Sequence, residues 1–120
     1  MTDDVPASGP DARVLDTLFR TIASRRGADP ATSYTARLFS RGTAKIAQKV
    51  GEEAVEAVIE AMCRDKAGLT GESADLLYHL LVLWADAGIE PADVYAALES
   101  REGRSGIDEK KARKQTGGGR

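Results

Sequence analysis

The sequence predicts an all-α protein: a small antiparallel bundle of four to five helices, completed by dimerisation. Three observations carry this expectation. Apolar residues recur at helical spacing in nearly every segment between residues 12 and 102. Strand signals are nearly absent, and no repeat of solenoid period occurs. Gly42, Gly88 and Pro91 stand where helices should stop or start. A chain of 120 residues fits one domain. With 42% hydrophobic residues it can build a modest core. A chain of this size buries only about two-thirds of its unfolded surface, so leftover apolar faces suit a subunit interface.

Residues 1–11 read as a disordered arm, because Pro6, Ser8, Gly9 and Pro10 break any period. Asp11 is placed to cap a first helix over 12–26, with Val14, Leu15, Leu18, Phe19 and Ile22 at helical spacing. After the loop GADPAT, Ser33 opens the short helix SYTARLFSR, which ends at Gly42. Thr43 is the expected N-cap of a long helix over 44–66. AGLTG then reads as a linker to a helix over 71–87, stopped by Gly88. Pro91 occupies a first helical position and opens a helix over 91–102. A last short helix is expected over 107–115, which closes the domain, and TGGGR over 116–120 as a flexible tail.

Composition excludes several classes. No apolar run approaches the ~18 residues of a membrane span. The polar, acidic start MTDDVPASGPDAR is unlike a secretory signal, which points to the cytoplasm. The lone Cys63 cannot form an intramolecular disulfide. Charge is uneven: residues 1–100 carry 10 basic and 16 acidic groups, whereas residues 101–120 carry 7 and 3. So short a basic end reads first as a solvated tail rather than a nucleic-acid site.

The acids of the two longest helices need a reason. On the first, Ile46, Ala47, Val50, Ala54, Ala57, Val58, Ala61 and Met62 share a broad apolar arc. Lys45, Lys49, Glu52, Glu53, Glu56 and Glu60 fill a charged one. Glu53 lies nearest the apolar border with Glu56 as its i+3 neighbour, while Glu52 points further away. The next helix is apolar around most of its circumference, as a buried helix is. The exception is a narrow stripe of Glu72, Asp75, His79 and Asp86. Two antiparallel neighbours therefore each offer an i,i+3 acidic pair.

A charged arc is usually only a solvated face, and Lys49 can pair with Glu52 or Glu53. The narrowness of the second stripe argues otherwise. Converging carboxylates would repel by about 4 kcal/mol per pair at about 4 Å and an effective ε near 20. A divalent cation reverses that sign, and all-oxygen ligands favour Mg²⁺ or Mn²⁺ over zinc. No Glu-x-x-His pair suggests di-iron, and no P-loop, GxGxxG or nucleophilic triad is present. His79 reads as a helix-packing residue with one hydrogen bond, and Tyr78, Leu80 and Trp84 as core or interface.

EExxE at Glu52, Glu53 and Glu56, followed by ExxD at Glu72 and Asp75, resembles the all-α nucleoside triphosphate pyrophosphatase superfamily. The stretches SYTARLF, KIAQKVGEEAVEAVIEA, ESADLLYHLLVLW and GRSGIDEKKARK narrow the resemblance, across about 14–115, to the phosphoribosyl-ATP pyrophosphatase family. It implies Mg²⁺-dependent hydrolysis of phosphoribosyl-ATP to phosphoribosyl-AMP and pyrophosphate, the second step of histidine biosynthesis, by a helical homodimer. Carried onto this chain, it implies metal ligation by Glu53, Glu56, Glu72 and Asp75. Glu52, Glu53 and Glu56 become the catalytic acids, with Glu52 beside the ligands or orienting water.

Lys45, Lys49, Arg37 and Arg41 are the candidate substrate-binding residues for the phosphates. The basic group Lys110, Lys111, Arg113 and Lys114 is a candidate cap across the dimer. Two alternatives stay open: a housecleaning dNTP pyrophosphatase with the same metal motif, and a non-catalytic helical dimer.

Overall fold

The computed structural model describes residues 9–102, which form five helices and no strand. Residues 1–8 of the arm expected over 1–11, the helix over 107–115, the basic group at 110–114 and the tail lie outside the described residues. Helix α1 spans Arg13–Ser24, α2 Tyr34–Arg41, α3 Thr43–Met62, α4 Lys66–Ala87 and α5 Pro91–Glu99.

Local chemistry sets most of these limits. Ser33 caps α2 by accepting from the Ala36 amide at 3.1 Å. Pro91 opens α5, and the Asp93 carboxylate accepts from the Glu90 amide at 2.9 Å. Gly88, at φ 78°, closes α4: the Ile89 amide donates to the Trp84 carbonyl at 2.9 Å. The α1 cap differs from expectation. Ala12 holds the N-cap position without a side-chain bond, and Asp11 instead accepts from the Arg13 amide and guanidinium. Thr43 also differs, because Gly42, at φ 93°, makes the turn into α3. The Thr43 hydroxyl is used to tie α3 to α4, donating to Asp86 Oδ2 at 2.6 Å.

The largest departure is between α3 and α4. α3 stops at Met62 and α4 begins at Lys66, so AGLTG is helix rather than linker. Arg64 takes φ 59°, its amide donates to Ala61 and that of Asp65 to Glu60, and together these satisfy the last carbonyls of α3. Asp65 then caps α4 through the Gly68 amide at 2.9 Å. Gly68 lies within that first turn of α4, where a Cβ would meet the ends of the Glu60 and Asp65 side chains.

So short a turn makes α3 and α4 an antiparallel hairpin, the most extensive helix pair of the fold. The core gathers at its open end, where Phe19 and Ile22 of α1, Leu38 of α2 and Ile46 of α3 meet Leu81 and Val82 of α4. Tyr78 and Trp84 pack against its edge. Toward the turn the core ends. Of the apolar arc read along α3 only Ile46 is buried; Val58 and Met62 are exposed, as are Val55 and Ile59 beside the arc. The buried positions of α4 are likewise limited to His79, Leu81 and Val82.

Candidate metal centre

The hairpin register brings the acids together. Glu53 lies eleven residues before Arg64 and Asp75 eleven after it, while Glu56 and Glu72 each lie eight away. Helices that rise equally from one turn set such positions side by side. Glu53, Glu72 and Asp75 each present a carboxylate oxygen within 4.8 Å of the others. Glu53 and Glu72 are half-buried and Asp75 is exposed, so the group opens to solvent on one side.

Glu72 is the strained member. Its Oε1 is buried and has no hydrogen-bond partner. Its carboxyl is pushed up to about 7, first by sharing a hydrogen bond with Glu53 and then by desolvation. The charges of Glu56, Glu53 and Asp75 add to the shift. An orphaned buried oxygen among like charges is unfavourable for a helix pair on its own. A hard divalent cation satisfies both defects at once, and an all-carboxylate donor set fits Mg²⁺ or Mn²⁺.

Glu56 is exposed one turn further along α3. Its charge is felt at Glu72, but it does not join the trio of converging oxygens. Glu52 points outward: it accepts from the Gln48 amide at 2.7 Å and lies 3.4 Å from the Lys49 ammonium. Gln48 and then Lys49 hold the Glu52 carboxyl below its usual range. Lys49 bridges the two acid sets, with Nζ also 3.8 Å from Glu53 Oε2. Lys45 is half-buried one turn earlier, and its charge too reaches Glu52.

The arginines are placed differently. Arg37 is exposed and donates through Nε to the Pro30 carbonyl at 3.3 Å, toward the α1–α2 loop. Arg41 is exposed in the last turn of α2, where a cation complements the helix dipole.

His79 makes two hydrogen bonds where one was expected, to Tyr34 and to the Asp75 carbonyl. Asp86, the last acid of the stripe, is engaged by Thr43. Tyr34 and Thr35 escaped the sequence reading as individual residues. Their signal was membership of the SYTARLF stretch, which places two hydroxyl groups at the start of a helix. Concavity alone does not mark the site. A hollow of about 560 Å³ runs along α5 beside Tyr95, Leu98 and Glu102, but among the described residues it gathers no comparable group of acids.

A family model described as phosphoribosyl-ATP pyrophosphohydrolase matches residues 15–102. The chain is 71% identical over 103 residues to a phosphoribosyl-ATP pyrophosphatase of Azospirillum brasilense, covering 86% of this chain and 93% of the relative. A protein of the same name from Paramagnetospirillum magneticum is 63% identical over 103 residues, with 86% and 94% covered. Another from Rhodospirillum rubrum is 56% identical over 117 residues, with 96% and 100% covered.

Proposed function

Because the chain belongs to the phosphoribosyl-ATP pyrophosphohydrolase family, we propose that it hydrolyses phosphoribosyl-ATP to phosphoribosyl-AMP and pyrophosphate. The reaction is Mg²⁺-dependent, belongs to the second step of histidine biosynthesis and takes place in the cytoplasm. The observation that carries the metal requirement is the trio Glu53, Glu72 and Asp75, with the buried and unpartnered Glu72 Oε1 among them.

These three residues would hold the ion, and Glu56 is one turn away as a fourth ligand. Bound there, Mg²⁺ neutralises phosphate charge and lowers the pKa of an attacking water. The chain's own contribution is position and charge. Water adds to the α-phosphorus, the bond from that atom to the α–β bridging oxygen breaks, pyrophosphate departs with that oxygen, and the proton of the water passes to solvent. Lys49, beside Glu53, and Lys45 one turn earlier supply positive charge for the polyphosphate. Glu52 steadies Lys49 from the solvent side. The remaining candidate phosphate contacts are Arg37, which donates to the Pro30 carbonyl, and Arg41 in the last turn of α2.

The active form is a homodimer. Val55, Val58, Ile59 and Met62 are each more than half exposed and fall at i, i+3, i+4 and i+7 along α3. That spacing makes an apolar seam for a second copy. It lies on the face of α3 away from Glu53, so a partner seated there would leave the acids open to substrate. No helix among the described residues is long and apolar enough to cross a membrane.

The deciding experiment is pyrophosphate release from phosphoribosyl-ATP, with Mg²⁺ and with EDTA, beside ATP and a dNTP panel. Mg²⁺-dependent turnover of phosphoribosyl-ATP alone is expected. Turnover of dNTPs instead would move the substrate, and silence on every substrate would remove the reading.

A further inference from the structure

His79 is the one buried polar residue among the described residues, and both of its ring nitrogens are engaged. Nδ1 lies 2.9 Å from the Asp75 carbonyl oxygen, and Nε2 lies 3.0 Å from the Tyr34 hydroxyl. A carbonyl can only accept, so Nδ1 carries the proton. The neutral ring then accepts at Nε2, and Tyr34 donates. Tyr34 thereby fixes the one tautomer that can donate to Asp75.

The pair is itself held in place. Tyr34 stacks on Tyr78 with centroids 6.2 Å apart, and His79 meets the two rings edge-on at 5.9 and 5.0 Å. The Thr35 hydroxyl pairs with that of Tyr78, so the first two residues of α2 are fastened to two successive residues of α4. Asp75 lies one turn beyond them, exposed, with Glu53 and Glu72 beside it. The buried positions of α4, His79, Leu81 and Val82, all stand on the other side of that turn. Without an ion the acids there repel one another. The ring of His79 is therefore a tie from the packed part of the fold to a turn under strain, added to the helix's own i→i−4 ladder.

Resting on the reading of the trio as a Mg²⁺ centre, we infer that His79, oriented by Tyr34, is a positioning residue for Asp75. It anchors the main chain of the turn that carries this acid, so the carboxylate stands with Glu53 and Glu72 before the ion arrives. The start of α2 thereby acts on the metal centre through one hydrogen-bonded chain, Tyr34 to His79 to Asp75.

Two substitutions separate this role from packing. His79→Asn keeps a donor where Nδ1 stands but gives up the rest of the ring and the bond to Tyr34. His79→Gln keeps most of the volume and an acceptor for Tyr34, with no donor at the Nδ1 position. Calorimetry reads Mg²⁺ binding without substrate, and thermal scans in EDTA read stability. His79→Gln should weaken Mg²⁺ binding about five-fold, the effect of one hydrogen bond. His79→Asn should bind Mg²⁺ as the wild type does, although the cavity it leaves makes it the less stable of the two. Packing alone predicts the reverse order of affinity. Tyr34→Phe keeps the stacked ring and should weaken Mg²⁺ binding about three-fold, with no further effect in the His79→Asn background.

Wild-type Mg²⁺ affinity in His79→Gln, or affinities that merely follow stability, would overturn the inference. Should a His79 variant fail to fold, unchanged Mg²⁺ affinity in Tyr34→Phe overturns it alone. In each case intact wild-type turnover of phosphoribosyl-ATP leaves the proposed function standing. A wild-type protein that neither binds Mg²⁺ nor releases pyrophosphate would overturn both.

Discussion

Acidification from pH 8 to pH 6 should weaken Mg²⁺ binding about ten-fold, and Glu72 sets that figure. Its carboxyl stands at about 7 against an ordinary 4.5, chiefly because it shares a hydrogen bond with Glu53. A group with that value is about nine-tenths ionised one unit above it and about one-tenth ionised one unit below. Ligation needs the ionised form, so the ratio passes directly into the apparent affinity. Near pH 7, about half a proton should leave for each ion bound. Titration calorimetry in two buffers of different ionisation enthalpy reads both quantities.

Stability without metal must follow the opposite sign. Between 4.5 and about 7 the folded chain keeps a proton that the unfolded chain has released. This stability is fully present below about 4.5 and is lost as pH rises through 7. Thermal scans in EDTA should show that slope in the wild type and lose it in Glu72→Gln. Equal Mg²⁺ affinity at both pH values, with no buffer-dependent heat, would refute the shared-proton account of the trio.

Three further substitutions probe the remaining parts. Asp75→Asn should abolish pyrophosphate release while the thermal midpoint in EDTA holds or rises, since one charge leaves a repelling cluster; near-normal turnover would remove Asp75 from the ligands. Lys49→Ala should raise KM well beyond any change in Mg²⁺ affinity, and unchanged kinetics would return Lys49 to the role of a surface partner of Glu52. Val58→Asp lies where the single chain is 62% exposed, so the subunit should fold. A dimer would have to bury the unpaired charge at a cost of several kcal/mol. Sedimentation should report monomer with loss of turnover, and a dimer of wild-type mass would place the interface elsewhere.

The all-α class and most helix limits were legible because they rest on local chemistry. Ser33, Gly88 and Pro91 act within one turn of themselves, and the structure uses each as read. The α3–α4 turn was not legible, because the signals competed. Gly68 and Gly71 suggested a linker, yet each costs a helix only about 1 kcal/mol relative to alanine. The reversal is instead made by Arg64 in a left-handed conformation, which few non-glycine residues adopt, and by the Asp65 cap. Periodicity placed Glu53 at a helix seam and Glu72 and Asp75 on one stripe, and the structure joins these three. Whether Glu56 turns inward is a matter of side-chain rotamer, which a helical wheel does not contain. The Tyr34–His79 contact spans 45 residues, and no local pattern encodes it.

The position of the trio along the hairpin explains how the fold tolerates it. Ile46, Leu81 and Val82 are fully buried at the open end, where α1 and α2 cover the helix pair. Glu53 is two turns along α3 from Ile46, and Asp75 is on the corresponding part of α4. Repulsion among the carboxylates therefore acts beyond the edge of the core, in a stretch whose packing is not yet closed. His79 stands at the boundary. It is buried with the core, yet bonded to the carbonyl of the last acid of the trio and, through Tyr34, to α2. From His79 toward the turn, the exposed seam of α3 is left for a second copy. Substitutions at Ile46 or Leu81 thus act through subunit folding, and those in the trio through metal and substrate. Those along the seam act through assembly, and His79 alone couples the first two.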